Sequence, residues 1–455
     1  MEPPQEIFRA YDIRGLVDTQ ITEELAYHLG RAFGTYLAHH KAKNCTVGYD
    51  VRATGPAYAR ELSQGLIDSG IDVIEIGLVS TPISYYTVWT GIADAGVIIT
   101  ASHNPPEYNG FKMTHRKEKL SSTAYQELYE LIREGAYAEG TGGREKRSVD
   151  ADYQKDCLEN LKGGRTLRIV VDTGNGTGGI VLPSLLRALG HEVIELYTEP
   201  DGSFPNHHPD PSEHETLEDL QRAIADHEAD LGLALDGDAD RVAVVDEKGG
   251  LHHTDEIIAL FARELLTGTK GSIVYDVKCS KLVKDTIEAA GGTPIEGRTG
   301  HTFITPLVAE HDALLGGEMS GHLFFNDRYH GYDDGIYSAC RIAELISTLE
   351  EPVSETIPTN PYASTPEIKV PVSEQAKFAI VDEITTAAPE GALTIDGVKA
   401  YGDDGWWLVR ASNTSPYLVV RCEALTPEGL EMRKRQVEAL LNPILVSHGQ
   451  NEVTL

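Results

Sequence analysis

Runs of β-forming residues that stop at an aspartate return along the chain. C-T-V-G-Y-D ends at Asp50, L-R-I-V-V-D at Asp172 and S-I-V-Y-D at Asp276, at intervals of 122 and 104 residues. Each run is followed by a helical pattern and then a second apolar run, as with residues 57–69 leading into I-D-V-I-E-I-G and residues 182–189 leading into H-E-V-I-E-L. Such alternation builds βαβ units whose sheets are covered on both faces, and its near-regular recurrence predicts three related α/β domains with mixed, mainly parallel sheets. Beyond Pro361 the pattern changes to short strands (E-I-K-V-P-V, A-L-T-I, W-W-L-V-R, L-V-V-R-C-E-A) and one long helix over about 426–441. A smaller α+β domain is therefore expected at the end. Seams are placed in the polar stretch 139–147, at Lys248-Gly249-Gly250 and at 352–361, so the expected domains are 1–147, 148–250, 251–360 and 361–455.

Composition narrows the partners. The 455 residues carry 39 basic and 71 acidic side chains, a net charge of -32, and a field of that sign excludes nucleic acid and anionic membrane. A phosphorylated substrate would also be repelled unless basic groups gather at one cleft. The same acidity also fits a protein that works in high salt, where screening weakens self-repulsion. No apolar run approaches the roughly 18 residues of a membrane span, and the acidic, proline-bearing start lacks a secretory pattern, so a cytoplasmic protein is expected. Five scattered cysteines without a C-x-x-C pair indicate neither a disulfide framework nor a thiolate metal site.

Four motifs carry chemistry. In A-G-V-I-I-T-A-S-H-N-P-P a strand runs into a turn-rich loop that presents Ser102 beside His103; a serine hydroxyl is a weak nucleophile and needs a base, a metal or prior phosphorylation. In L-G-L-A-L-D-G-D-A-D-R-V-A-V-V the carboxylates Asp236, Asp238 and Asp240 stand two apart between strand-like runs. Three such groups repel one another unless a cation sits among them, and oxygen ligands favour magnesium or calcium. An EF-hand reading fails because Arg241 stands where that loop needs glycine and strands replace the flanking helices. Arg241 can offset charge on a phosphoryl group. In G-G-E-M-S-G-H, Glu318 and Ser320 suit neighbouring sugar hydroxyls and His322 suits proton transfer. In R-A-S-N-T-S-P, the donors of Arg410, Ser412, Asn413 and Thr414 suit one phosphate. Taken singly, G-G-E-M-S-G-H reads more readily as a loop with a satisfied histidine, and R-A-S-N-T-S-P reads as readily as a polar turn.

Together these motifs resemble the α-D-phosphohexomutases, and specifically their phosphomannomutase/phosphoglucomutase branch, almost end to end. F-R-A-Y-D-I-R-G (8–15), T-A-S-H-N-P (100–105), N-G-F-K (109–112), F-P-N-H-H-P-D-P (204–211), D-G-D-A-D-R, G-E-M-S-G-H and R-A-S-N-T-S-P stand in that family's order. The resemblance implies that Ser102 rests phosphorylated, with magnesium held by Asp236, Asp238, Asp240 and an oxygen on phosphorylated Ser102. It implies reversible exchange of hexose 1-phosphate and hexose 6-phosphate, of mannose or glucose, through a hexose 1,6-bisphosphate that turns end for end. Lys112, His103 and His322 are then unranked candidates for proton transfer, with Arg14 and Arg241 stabilising charge. Tyr11, Lys278 and the turn Arg298-Thr299-Gly300-His301 match positions lining the sugar cleft. Glu318 and Ser320 would grip the sugar, and Arg410, Ser412, Asn413 and Thr414 the phosphate that is not reacting. A monomer or weak homo-oligomer is expected, with the fourth domain rotating about 352–361. Phosphoglucosamine mutase is the alternative within the family, although Met319 resembles the mannose/glucose branch. A metal-dependent sugar phosphatase and a non-catalytic sugar-phosphate binder are the alternatives outside it.

Overall fold

The computed structural model describes residues 1–9, 11–412 and 416–455. The chain divides into two compact units, one of Met1–His253 with Ser320–Thr356 and the other of Thr254–Met319 with Ile357–Leu455.

The first unit holds two sheets. The βαβ unit foreseen around Asp50 is the strand Asn44–Tyr49, the helix Gly55–Asp68 and the strand Asp72–Leu78, the two strands parallel. The strand Ala95–Ile99 lies parallel on the other side of Asn44–Tyr49, with Cys45 opposite Ala95 and Tyr49 opposite Ile99. Its five residues, A-G-V-I-I, are all buried, as a central strand covered on both faces requires. The strand Tyr108–His115 returns antiparallel and sets Lys112 opposite Ile98, near the point where the Ser102 loop begins. Around Asp172 the same logic gives parallel strands Arg168–Asp172 and Glu192–Leu196, with Leu231–Leu235 parallel on the other flank of Arg168–Asp172. Leu231–Leu235 then pairs antiparallel with Val242–Asp246, Leu235 opposite Val242, so residues 236–241 form the turn of a hairpin.

The helices Glu23–His39 and Gly55–Asp68 cover the first sheet and meet at Gly30 and Gly65. A Cβ on Gly65 would lie 2.2 Å from the Tyr27 carbonyl oxygen and 2.7 Å from the Arg31 nitrogen. Alanine ordinarily stabilises a helix by up to about 1 kcal/mol over glycine, but here it meets backbone that no rotamer change can move aside. Gly65→Ala is expected to destabilise the protein by about 1–3 kcal/mol, read as a lowered melting temperature.

In the second unit the run ending at Asp276 is the strand Ser272–Asp276, followed by the helix Lys281–Ala289 and the parallel strand Thr293–Gly297, with Leu315–Gly317 parallel on its other side. Residues 357–455 add an antiparallel sheet of Val398–Gly402, Gly405–Ala411, Tyr417–Ala424, Ile368–Pro371 and Ala363–Ser364, with the helices Lys377–Thr386 and Pro427–Ser447. They pack onto residues 254–319. Lys399 Nζ meets Glu296 Oε1 at 2.6 Å, the Lys281 N–H donates to Glu423 Oε1 at 2.8 Å, and Trp406 and Leu408 cluster with Val277. The division at Thr356 falls between residues 352 and 361, and these apolar and ionic contacts join residues 357–455 to residues 254–319.

Two local expectations differ from the structure. A-L-T-I contributes only an isolated bridge at Leu393, and the strand there is Val398–Gly402. The long helix begins as expected, Thr426 Oγ1 accepting from the Gly429 N–H at 3.0 Å, but it continues through Pro443 to Ser447 because Ile444 and Leu445 are drawn into the core of the last domain. All five cysteines are buried and free, and no described helix is long and apolar enough to cross a membrane.

Candidate active site

Ser102 follows the buried strand Ala95–Ile99 and is held at φ +51, a left-handed conformation uncommon for residues other than glycine. Local bonds impose it: the Ser102 N–H donates to Thr100 Oγ1 at 2.8 Å, and Arg52 gathers the loop from below. Arg52, 2% exposed, donates to the carbonyls of Ser102 (2.9 Å), Asn104 (2.5 Å), Pro105 (2.7 Å) and Tyr108 (2.8 Å), and is anchored on Asp50 at 3.2 Å. Asp50 is the residue that closes the first recurring strand run. Arg14 reaches the same loop through Asn104 Oδ1 at 2.7 Å while pairing with Asp12 at 2.7 Å.

The hairpin turn 236–241 meets this loop. Ser102 Oγ donates to Asp236 Oδ2 at 2.7 Å and lies 3.0 Å from His103 Nδ1. The approach depends on Gly237, where a Cβ would fall 2.6 Å from the Ser102 carbonyl oxygen. Asp236, Asp238 and Asp240 are wholly buried, with ligand atoms within 4.8 Å of one another. Lys112 Nζ bonds Asp238 Oδ2 at 2.7 Å and Asp240 Oδ2 at 2.5 Å, and Thr81 Oγ1 donates to Asp238 Oδ2 at 2.6 Å. His322 Nε2 stands 3.2 Å from Asp240 Oδ1 and its Nδ1 3.0 Å from Ser320 Oγ, while Arg241 Nε stands 3.4 Å from His322 Nε2.

The charges around the triplet are unequal. Burial pushes Asp238 and Asp240 up, but Lys112 outweighs it and holds Asp238 below, and with His322 holds Asp240 well below, the usual carboxylate range. Among the described cations Asp236 is met only by Arg241, its Nε 4.0 Å from Oδ2, and burial with the charges of Asp240 and Asp238 outweighs that cation and pushes it well above that range. Asp238 Oδ1 is buried with no hydrogen-bond partner among the described residues. A buried carboxylate set short of one positive charge, with an oxygen left over, fits a hard divalent cation. Lys112 itself stays charged, the two aspartates more than offsetting its burial. Desolvation, then the charges of Arg241 and Arg14, holds His103 well below the ordinary imidazole value, which favours the neutral ring.

A second polar cluster forms within the second unit. The Gly300 N–H donates to Glu318 Oε1 at 2.5 Å, Thr299 Oγ1 to Asp276 Oδ2 at 3.1 Å, and the Thr299 N–H to Asp396 Oδ2 at 3.1 Å. Asp396 Oδ2 also receives Arg410 Nε at 2.8 Å, and Lys278 Nζ pairs with Glu367 Oε1 at 2.7 Å. Arg421 joins the Lys278 carbonyl to Met319 Sδ. The Ser412 N–H bonds the Tyr417 carbonyl at 3.0 Å. Asn413 and Thr414 lie outside the described residues. His301 is buried at the start of the helix His301–Glu310, while Arg298 is exposed and lies over the Phe303 ring, 4.3 Å from its centroid. Tyr11 is half-buried ahead of the strand Ile13–Leu16.

Ser102, Lys112 and the triplet, all legible in the sequence, are brought together by the fold. Arg52, Thr81 and Asp396 are further polar contacts that the motifs do not contain. Asp50-Val51-Arg52, straight after a strand end, was the available signal for the first.

Models of the phosphoglucomutase/phosphomannomutase domains match most of the chain: alpha/beta/alpha domain I over residues 5–139, domain II over 151–250, domain III over 253–362 and the C-terminal domain over 367–440. The chain is 44% identical to the phosphomannomutase/phosphoglucomutase of Pseudomonas aeruginosa across 95% of its own length and 94% of that protein's. It is 39% identical to the phosphoglucomutase of Neisseria meningitidis serogroup A, covering 97% and 98% of the two chains. The X-ray structure of a phosphoglucomutase/phosphomannomutase family protein from Burkholderia thailandensis matches it with a TM-score of 0.93 at 35% identity, over 99% of each chain.

Proposed function

The chain belongs to the phosphoglucomutase/phosphomannomutase family, and we infer that it interconverts hexose 1-phosphates and hexose 6-phosphates, of mannose and glucose, through a phosphorylated Ser102. The observation that carries this reading is the 2.7 Å contact between Ser102 Oγ and Asp236 at the acidic triplet. A serine on a strained loop beside three buried carboxylates suits a phosphoryl group that is held, passed on and taken back. We assign a magnesium ion to Asp236, Asp238, Asp240 and an oxygen on phosphorylated Ser102; when bound, it would neutralise charge on the transferred phosphoryl group.

In the first half-reaction the bond from phosphorus to Ser102 Oγ breaks as a bond from phosphorus to the sugar oxygen forms, the sugar hydroxyl giving up a proton and Ser102 Oγ gaining one. In the second, the phosphorus–oxygen bond at the other end of the bisphosphate breaks as the bond from phosphorus to Ser102 Oγ re-forms, Ser102 Oγ giving up its proton and the released sugar oxygen gaining one. His103, 3.0 Å from Ser102 Oγ, is placed to exchange that proton at the serine. Lys112, fixed as a cation by its two aspartates, together with Arg14 and Arg241, counters the charge of the phosphoryl group, and His322 is assigned to the sugar hydroxyl. Hexose 1,6-bisphosphate serves as intermediate and activator. Among the residues of the second unit we assign Glu318 to sugar hydroxyls, and Arg410, Ser412, Asn413 and Thr414 to the phosphate that is not reacting. Tyr11, Ser320, Lys278, Arg298, Thr299, Gly300 and His301 are assigned to the sugar's surroundings.

Side-by-side assays with mannose, glucose and glucosamine 1-phosphates test this reading. Conversion of the first two to 6-phosphates, lost on chelation and restored by magnesium, is expected without release of phosphate. Free phosphate matching substrate consumption would establish a phosphatase instead, and preference for the glucosamine substrate would move the chain to the other branch.

A further inference from the structure

One cleft in the first unit runs against the charge of the whole chain. It measures about 640 Å³ and is lined by four cations, Arg60, Arg144, Lys146 and Arg147, against a single carboxylate, Glu75. Its apolar part is made of Val47, Tyr49, Pro56, Ala59 and Ile76. In a protein with 39 basic and 71 acidic residues, that ratio is the reverse of the average surface.

Local structure accounts for it. The short sequence R-E-K-R at 144–147 enters an edge strand, Arg144–Lys146, parallel to Asp72–Leu78. Side chains alternate along a strand, so Arg144 and Lys146 share the cleft face while Glu145 is absent from the lining. Arg60 supplies the opposite wall from the helix Gly55–Asp68. The pairing of Asn44–Tyr49 with Asp72–Leu78 shifts register between Val47 and Gly48, leaving Ile76 as an extra residue, and Gly77 follows at φ +77 with open space where a side chain would be. A bulge of this kind bends a strand and re-aims its side chains, here into the cleft.

The existing ion pairs are unevenly spread, and Arg144 and Lys146 are the undersupplied cations. Arg60 is met by Glu23 at 2.7 Å and Glu61 at 3.0 Å, and Arg147 by Asp152 at 2.9 Å. Arg144 and Lys146, however, share Glu75 at 3.4 and 3.9 Å, and Lys146 is 86% exposed. Two cations on one distant carboxylate leave an unmatched positive charge beside an apolar, tyrosine-bearing wall. Arginine forks bind phosphate oxygens bidentately, and the wall suits a flat ring. We propose that this cleft is a binding site for a phosphorylated small molecule bearing an apolar or aromatic ring, a nucleotide in chemical class, separate from the Ser102 centre. None of its lining residues takes part in the chemistry assigned above.

Calorimetric titration of the full-length protein with ADP, adenosine and inorganic phosphate tests it, each in saturating glucose 1-phosphate so that the substrate site is filled. Saturable ADP binding is expected, weaker for either fragment, weakened by added salt, and weakened at least about tenfold in Arg144→Glu/Lys146→Glu. That variant should retain wild-type melting and basal turnover, both changes lying on an exposed edge. A milder Lys146→Gln should give an intermediate loss. No saturation at millimolar ADP, displacement of ADP by glucose 1-phosphate, or unchanged ADP affinity in the double variant would overturn the proposal.

Discussion

Ser102→Ala is expected to lower turnover by at least roughly 10³-fold while leaving the protein folded. The hydroxyl is the only atom of that side chain able to carry the phosphoryl group, and no other described hydroxyl or thiol stands within hydrogen-bonding distance of Asp236. The structural cost is small by comparison. One hydrogen bond to Asp236 is lost, which for a buried pair is worth about 1–3 kcal/mol, and the loop stays tied by Arg52 through four carbonyls. Circular dichroism and melting should therefore remain close to wild type while steady-state assays fall to background. Substantial turnover by the alanine variant would mean that phosphoryl transfer bypasses the serine.

Gly237→Ala is expected to reduce kcat by about 10²-fold with little change in KM. No positive φ is recorded at this position, so alanine meets no backbone strain, and the effect is one of distance. Its Cβ would lie 2.6 Å from the Ser102 carbonyl oxygen and 3.4 Å from Pro209 Cγ, and the first is backbone that Arg52 holds fast. Either the Ser102 loop or the acidic turn must yield. A displacement near 1 Å at a reacting centre costs about 10²-fold, whereas the accompanying loss of stability, about 1–3 kcal/mol, leaves the fold intact. Wild-type kcat in this variant would show that the two loops need not stay in contact.

These two positions mark how far the amino-acid sequence could be read. Ser102 and the triplet were recoverable because their chemistry is written in residue types: a hydroxyl on a turn and three carboxylates in need of a cation. The βαβ units around Asp50, Asp172 and Asp276 were recoverable because apolar periodicity and turn residues agree there, and each proved to be a parallel pair bridged by a helix. Gly237 reads as a mere spacer in D-G-D until the Ser102 carbonyl is seen against it. Arg52 acts on backbone carbonyls, which every residue possesses, so nothing in the residues 102–108 announces the partner. Val398–Gly402 escaped because V-K-A-Y-G lacks strong alternation, its pairing being set by the long neighbour Gly405–Ala411. The helix beyond Leu441 escaped because burial of Ile444 and Leu445 overrides the local signal of Pro443. Local rules succeed where side-chain chemistry or periodicity decides and fail where a distant backbone does.

The most direct measurement is to expose dephosphorylated protein to hexose 1,6-bisphosphate labelled in its phosphates and then map the label by peptide mass spectrometry. One phosphoryl group per chain on Ser102, passing back into bisphosphate when unlabelled glucose 1-phosphate is added, is the predicted result. Label on any other residue, or turnover with no label on the protein, would contradict it.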